Sequence, residues 1–549
     1  MENLLKIAVS LTTTASVVAL GANAAQAQFT TQYPTAQMQG LNSWNTEAIF
    51  TVGETINGYT PTGILDGIGA FKINDNTVRI LVNSEIAAGL GASYNLNTKD
   101  GNAINDLTVG GGARIHYFDI DSNTRTVKDA GLAFDQIFDR AGNLIENASQ
   151  FPSGASLNRF CSGHSFDAGT YGFVDNVYFA GEETGGGTQF VLDVDSISQS
   201  PLGGALYAAP AVGRGAWENV TALEPTNANQ IALLLGDDRS SSPTEGPGAP
   251  LYLYLGDKNA VGDGSFLDRN GLAQGTLYVW VEDSGDLNPS TFNGTGNSRT
   301  GNWVAVDNTG TDPDGYATQA ELDANVAALG AFRFSRPEDL STNPFNGSQA
   351  VLASTGSSSF GDLWGTTYTI DNDLANLTAS VSILYDGNEP GNQDFGLRSP
   401  DNLDWADDGY IYVQEDRALG AFCQTSGEEA SIWQLDPTTP GAATRIAQMD
   451  RSVVAPAGVT DPSPNDCGNW ESSGILDVTS LFKTKPGEKL FILDTQAHSL
   501  RDGVIGSQGL VEGGQLVLAS QQVPEPTATL GLLAFGTALG VGASRRKRK

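Results

Sequence analysis

Six short apolar runs recur along the chain, and each ends in polar or acidic residues: NTVRILVNSE, FVDNVYFAGEE, NQIALLLGDD, SQAVLASTGS, DGYIYVQED and EKLFILDTQ. They are rich in β-branched and aromatic residues and are bounded by Gly, Asn and Asp, a pattern that predicts strands. Helical periodicity is confined to ATQAELDANVAALGAF, where Ala, Leu and Val recur at helical spacing. Repeats of this kind, several tens of residues apart with further strands between them, predict an all-β chain with a short helix. The architecture expected is a β-propeller of about six blades, within the usual range of four to eight. Its innermost strands would bring their polar ends towards one axis. A β-sandwich, or two stacked all-β domains, is the competing architecture. No Pro/Ser-rich linker divides the chain, which favours one continuous domain. The stretch 239–315, with SSSPTEGPGAP and NPSTFNGTGNSRTGN, reads as a long loop-rich insertion.

Both ends fall outside that pattern. Residues 1–27 combine an early lysine, an apolar middle and the small-residue exit Ala25-Gln26-Ala27, the features of a secretory signal peptide. At the other end, Pro524-Glu525-Pro526 precedes an apolar run from Ala528 to Ala543 and five consecutive basic residues. This tail, residues 523–549, resembles the PEP-CTERM sorting signal of Gram-negative bacteria. The resemblance implies an exported protein, processed by an exosortase-type machinery and released or held at the outer surface. It would meet the membrane only transiently, through the tail; a plain C-terminal anchor is the alternative. Residues 28–522 remain for the propeller.

Charge narrows the partners. The net charge of −34 repels nucleic acid and anionic lipid and suits divalent cations, although it also serves solubility alone. No nucleotide-binding glycine loop, Walker sequence or zinc-finger spacing is present. Of the three cysteines, Cys423 and Cys467 lie in late, loop-like stretches and could pair, leaving Cys161 for other work.

The strand ends carry the candidate chemistry. In chain order they are Asn83 and Glu85, Glu182 and Glu183, Asp237 and Asp238, Arg336 and Glu338, Asp401, Asn402 and Asp404, Glu415 and Asp416, and His498. Carboxylates crowded on one axis repel one another unless cations neutralise them, and calcium takes such oxygen-rich ligands. Cys161 adds a soft sulfur that suits iron or zinc, so a mixed metal centre is the economical expectation. In GAFRFSRPEDLSTNP, Pro337 stiffens the turn between Arg336 and Glu338, which suits an anion held beside a cation. An exposed ion pair is the plainer reading of those three residues. His164 and His498 are open between ligand, supporting partner and buried histidine, whereas His116 reads as a strand position.

Taken in order, LNRFCSGHSF, VYFAGEETGG, GRGAWENV with LLLGDD, FSRPED and RSPDNLDWADDGYIYVQED resemble the PhoX-type alkaline phosphatases. The resemblance implies a β-propeller whose axial pocket holds iron and calcium and hydrolyses phosphomonoesters. It makes Cys161 an iron ligand, and Glu218, Glu338, Asp401, Asp416 and one of Asp237 and Asp238 carboxylate ligands. Arg336 would grip the phosphate while Glu338 holds metal beside it. Glu85, Glu182, Glu183, Asn402 and His498 are further candidates as ligands or as supports for them. Ser84 and Trp217 stand where the family usually has histidine, marking a divergent branch. Phosphate scavenging by an exported phosphatase is the function implied. A non-catalytic calcium-binding surface propeller, or a phosphodiesterase or phytase-like hydrolase, is the alternative.

Overall fold

The computed structural model describes residues 28–97, 107–198, 204–242 and 246–523. The expected signal peptide, and the sorting tail beyond Val523, lie outside the described residues. Six blades of mainly antiparallel strands, numbered 1 to 6 in chain order, stand around one axis. Their innermost strands are Leu65–Asn74, Phe160–Phe166, Trp217–Leu223, Pro337–Thr342, Pro400–Trp405 and Glu471–Asp477, and each touches the next in a closed ring. The architecture is therefore the expected propeller.

The six apolar runs are the second strands of the blades and not the innermost ones, a correction to the sequence reading. They span Thr77–Ser84, Val177–Glu182, Gln230–Asp237, Gln349–Ser354, Ile411–Glu415 and Glu488–Ala497. Successive side chains on a strand face opposite sides, and here both sides are covered by neighbouring blades. Leu233 packs towards blade 2 and Leu234 towards blade 4. Leu352 packs towards blade 3 and Val351 towards blade 5. Burial on both faces gives a continuous apolar run, each such side chain contributing about 1.5–3 kcal/mol. The innermost strands have no comparable signature, because each pairs with its neighbour across a β-bulge that interrupts the alternation.

A second correction concerns 239–315. That stretch supplies Tyr252–Asp257, Gly275–Glu282 and Ser298–Ala305, which build blade 3. LYLYLG and GTLYVWVE alternate as strands, and the Gly-, Ser- and Asn-rich pieces are their turns. Ser298–Ala305 pairs with both Gly275–Glu282 and Thr378–Asp386, fusing blades 3 and 4 into a nine-stranded sheet. The expected helix is Gln319–Leu329, started by a Thr318–Glu321 capping box and stopped at left-handed Gly330. Two shorter helices, Phe266–Arg269 and Gly503–Gln508, accompany it among the described residues.

Ring closure is made by a ladder of backbone bonds. Trp44–Thr51 pairs with Gly513–Gln522 at the edge of blade 6, and Met38–Gly40 edges blade 5 beside Ala443–Met449. Cys423 and Cys467 form a disulfide with Cα atoms 6.3 Å apart. Among the described residues no helix is long and apolar enough to cross a membrane.

Candidate functional site

The bulges aim side chains at one mouth of the ring. Asp66, Cys161, Glu218, Glu338 and Asp401 occupy the same bulge position in blades 1 to 5, each one residue after the pair that opens the inner strand. Glu471 opens the inner strand of blade 6. Beside them stand the residues that follow or close the second strands: Glu85, Glu183, Asp238 and Asp416. Three overlapping groups bring ligand atoms within 4.8 Å of one another: Asp66, Glu85 and Cys161; Cys161, Glu183 and Glu218; and Glu218, Glu338 and Asp401. Cys161 and Glu218 each belong to two groups, so the cluster is continuous from blade 1 to blade 5.

Such a cluster resists ionisation. Burial and the charge of Glu85 push Asp66 up to about 7. Burial, then Glu338 and Glu183, hold Glu218 well above the usual carboxylate range, and burial with Glu338 and Glu471 does the same to Asp401. The Cys161 thiol is pushed up by burial and by Asp66 and Glu218, and it donates to Asp66 Oδ2 at 3.1 Å. Glu218 Oε1 accepts the Ser162 N–H at 3.2 Å, while its Oε2 is buried without a partner. An orphaned carboxylate oxygen amid like charges and a thiol is the donor set that hard and borderline cations take. The residues present therefore fit the metals that the sequence implies.

Strand alternation divides the acidic pairs. Asp237 is turned into the wall, where it meets Arg239 at 2.6 Å and accepts the Ala216 N–H at 2.9 Å. Asp238 is bound by both arms of Arg336, at 2.8 and 2.7 Å, which puts it at the mouth. Of the two aspartates left open by the sequence, Asp238 is the one at the cluster. Glu182 likewise faces inward, accepting N–H groups from Asn158 and Thr188, and burial raises it to about 7. Glu183 pairs with Arg159 and shares the cluster with Cys161. Glu415 is buried against Arg398 at 3.0 Å, and Asp416 bears by its charge on Asp401, Glu471 and Glu85.

Arg336 also lies 2.9 Å from Glu338, whose Oε1 accepts the Thr355 hydroxyl at 2.5 Å. Asn402 donates to Asp66 Oδ1 at 3.2 Å and is a support within the cluster. His498 is held between Glu512 at 2.5 Å and Glu471 at 3.3 Å, and those hydrogen bonds and charges outweigh burial to raise its pKa well above the ordinary value. His116 sits in the strand Arg114–Asp121, bonded to Ser84 at 2.9 Å. His164 stacks on Phe166, 4.7 Å between centroids, and burial lowers it to about 4. Trp217 is fully buried in the wedge between blades 2 and 3.

Sequence reasoning missed Asp66, Arg159 and Glu471. The signal was a repeat hidden by divergence: LDG, FCS, WEN, PED and PDN open the inner strands of blades 1 to 5 with an apolar residue, a ligand type and a small or polar residue. WESS, at the start of the last blade, carries Glu471 in the same setting.

Comparison with known proteins agrees with this geometry. Residues 146–450 match the family model of alkaline phosphatase PhoX, and residues 522–548 match the PEP-CTERM protein-sorting motif, which marks an exported protein. No curated protein matches the chain in sequence. Among solved structures, PhoX of Pseudomonas fluorescens in complex with vanadate, a transition-state analogue, superposes with a TM-score of 0.57 at 16% identity, covering 89% of this chain and 97% of that one. The GH93 α-L-arabinofuranosidase of Fusarium graminearum with arabinobiose gives a TM-score of 0.35 at 10% identity, covering 86% and 98%, and carries no argument. The first likeness concerns the fold, while the family match spans more than half of the chain. By that match, this protein belongs to the PhoX family of alkaline phosphatases.

Proposed function

We propose that the protein is an exported, metal-dependent phosphomonoesterase that works at the mouth of the propeller axis, with calcium and iron as its metals. The observation that carries this reading is the junction at Glu218, where a thiol group and a carboxylate group of potential ligands meet beside Arg336. In this reading Cys161, Glu183 and Glu218 hold iron, and Glu218, Glu338, Asp401, Asp238 and Asp416 hold calcium. Bound cations would neutralise phosphate oxygens and make water acidic enough to attack at ordinary pH. Arg336 would bind two phosphate oxygens with its fork and spread the charge that develops during transfer. Pro337 and the left-handed backbone of Arg336, φ 64°, hold that fork beside Glu338. Thr355 orients the Glu338 carboxylate by its hydroxyl. Asp237 and Glu182 fasten the wall behind the ligands. Ser162, the serine beside Cys161, is not placed to act as nucleophile: it is buried and its oxygen accepts from Asn219 at 2.7 Å.

Hydrolysis of a chromogenic phosphomonoester at alkaline pH, with calcium and iron analysis of the purified protein, tests this reading beside Arg336→Ala and Cys161→Ala. Calcium-dependent turnover lost in both variants is expected. Bound calcium without iron, and no turnover of mono- or diesters by the parent, would instead mark a surface propeller without the chemistry.

A further inference from the structure

We infer that Arg159 is a second phosphate-contacting residue, gripping the substrate phosphate from the blade 2 side while Arg336 grips it from the blade 4 side; this rests on the phosphatase reading above. Arg159 and Arg336 occupy the same place in the repeat. Each stands two residues before the bulge ligand of its blade, Arg159 before Cys161 and Arg336 before Glu338. Each has a left-handed backbone, φ 46° for Arg159 and 64° for Arg336. Ile64 and Ser399, at the same place in blades 1 and 5, have φ 50° and 42°. The conformation therefore belongs to the fold, which launches the side chain from a strained residue in four blades. In two of them that side chain is arginine.

The two guanidiniums are also engaged alike. Arg336 uses Nε and Nη2 on Asp238 and shares Nη2 with Glu338. Arg159 uses Nε and Nη2 on Glu183, Nε at 3.0 Å, and shares Nη2 with Glu85 at 2.5 Å. In both, Nη1 takes no part in these pairs. Both forks thus neutralise carboxylates that belong to the ligand cluster, and cations at those carboxylates would release the fork for an anion. Glu183 and Glu338, one partner of each arginine, both share a ligand group with Glu218. The arginines therefore flank the same carboxylate. The Arg159 side chain is 43% exposed against 24% for Arg336, so it is open to a ligand arriving from solvent. Arg239 and Arg398, which hold the wall carboxylates Asp237 and Glu415, are enclosed by comparison, at 8% and 0%.

The test measures binding of inorganic phosphate by calorimetry, together with kcat, KM and metal content, for the full chain and its Arg159→Ala, Arg159→Lys and Arg336→Ala variants. Arg159→Ala is expected to weaken phosphate binding about 10- to 100-fold and to raise KM, with calcium and iron content unchanged. Arg159→Lys is expected to recover part of that loss, since it restores the charge but not the fork. Phosphate binding equal to the parent's would overturn the inference. So would a loss that tracks depleted metal and is reversed by resupplying it, because Arg159 would then only support the ligands. A parent that binds phosphate through Arg159 yet hydrolyses no ester would sink the phosphatase reading and leave the arginine assignment standing. A parent that binds no phosphate overturns the assignment itself.

Discussion

Neighbouring residues on one strand, a single step apart, do opposite work at this site. At the rim stand Asp66, Cys161, Glu218, Glu338 and Asp401; one residue deeper stand Gly67, Ser162, Asn219, Asp339 and Asn402. The deeper layer is held mostly by hydrogen bonds of its own, although Asn219 Oδ1 is buried without a partner and Asn402 also donates to Asp66 in the rim. Asn219 donates to Ser162 at 2.7 Å, Ser473 donates to Asn402 at 3.2 Å, and Asp339 accepts the N–H groups of Leu340 and Leu403 at 2.7 and 2.8 Å. Rim carboxylates have like charges for neighbours and, at Glu218, an oxygen with nothing to accept. The floor is held chiefly by hydrogen bonds within the protein, whereas the rim offers the donor set that the proposed cations would complete. Asp237 and Asp238 repeat the contrast on a second strand, one locked to an arginine in the wall and one at the mouth.

That contrast can be broken most severely in the wall. Asp237→Ala leaves Arg239 with one acidic partner fewer in a buried setting and is expected to cost about 3 kcal/mol of stability by denaturant titration, while Asp238→Ala costs much less stability yet lowers turnover. Equal destabilisation by the two would erase the distinction. At the rim, Glu218→Gln keeps the shape and removes one charge; phosphomonoester turnover is expected to fall about 100-fold and metal content to drop, with the fold intact by circular dichroism. Asp339→Asn probes the floor, replacing an acceptor of two backbone N–H groups, and should cost about 1–3 kcal/mol while metal content is retained. Metal loss in that variant would extend the metal site downwards.

The smallest effect is one of pH and sharpens the same point. Rim acids such as Asp66, raised to about 7, have folded pKa values above those of the unfolded chain. Their contribution is fully present below about pH 4 and is lost as pH rises through the shifted values. The metal-free protein should therefore melt at lower temperature as pH goes from about 5 to 8. Calcium should restore about 3 °C for each ion bound at a hundredfold excess over its dissociation constant, as read by calorimetry. Metal-free stability rising over that interval would mean that the rim acids are already paired.

Much of the site was legible because its acids close strong strands. Glu85, Glu183, Asp238, Asp416, Glu338 and Asp401 were legible as strand-end residues, Cys161 as the soft sulfur among them, and Glu218 through the family-like motif GRGAWENV. Asp66 and Glu471 were not, since LDG and WESS give no apolar run to follow and their bulges erase the alternation. Arg159 was hidden for a different reason: it looks like any arginine beside FCS until the backbone of Arg336 is seen to match its own. The stretch 239–315 was misread because its glycine-rich turns outweighed two short alternating strands between them.

The sequence by itself determined the number of blades, the acidic axis and the family, since these rest on repeated local patterns: a strand buried on both faces must be apolar throughout, and its exit must be polar. Only the tertiary structure decided which member of each acidic pair reaches the axis, which strands are innermost, and which arginines meet there. Those outcomes depend on bulge register and on a side chain's direction across the sheet, and a shift of one residue reverses both without changing the composition of the strand.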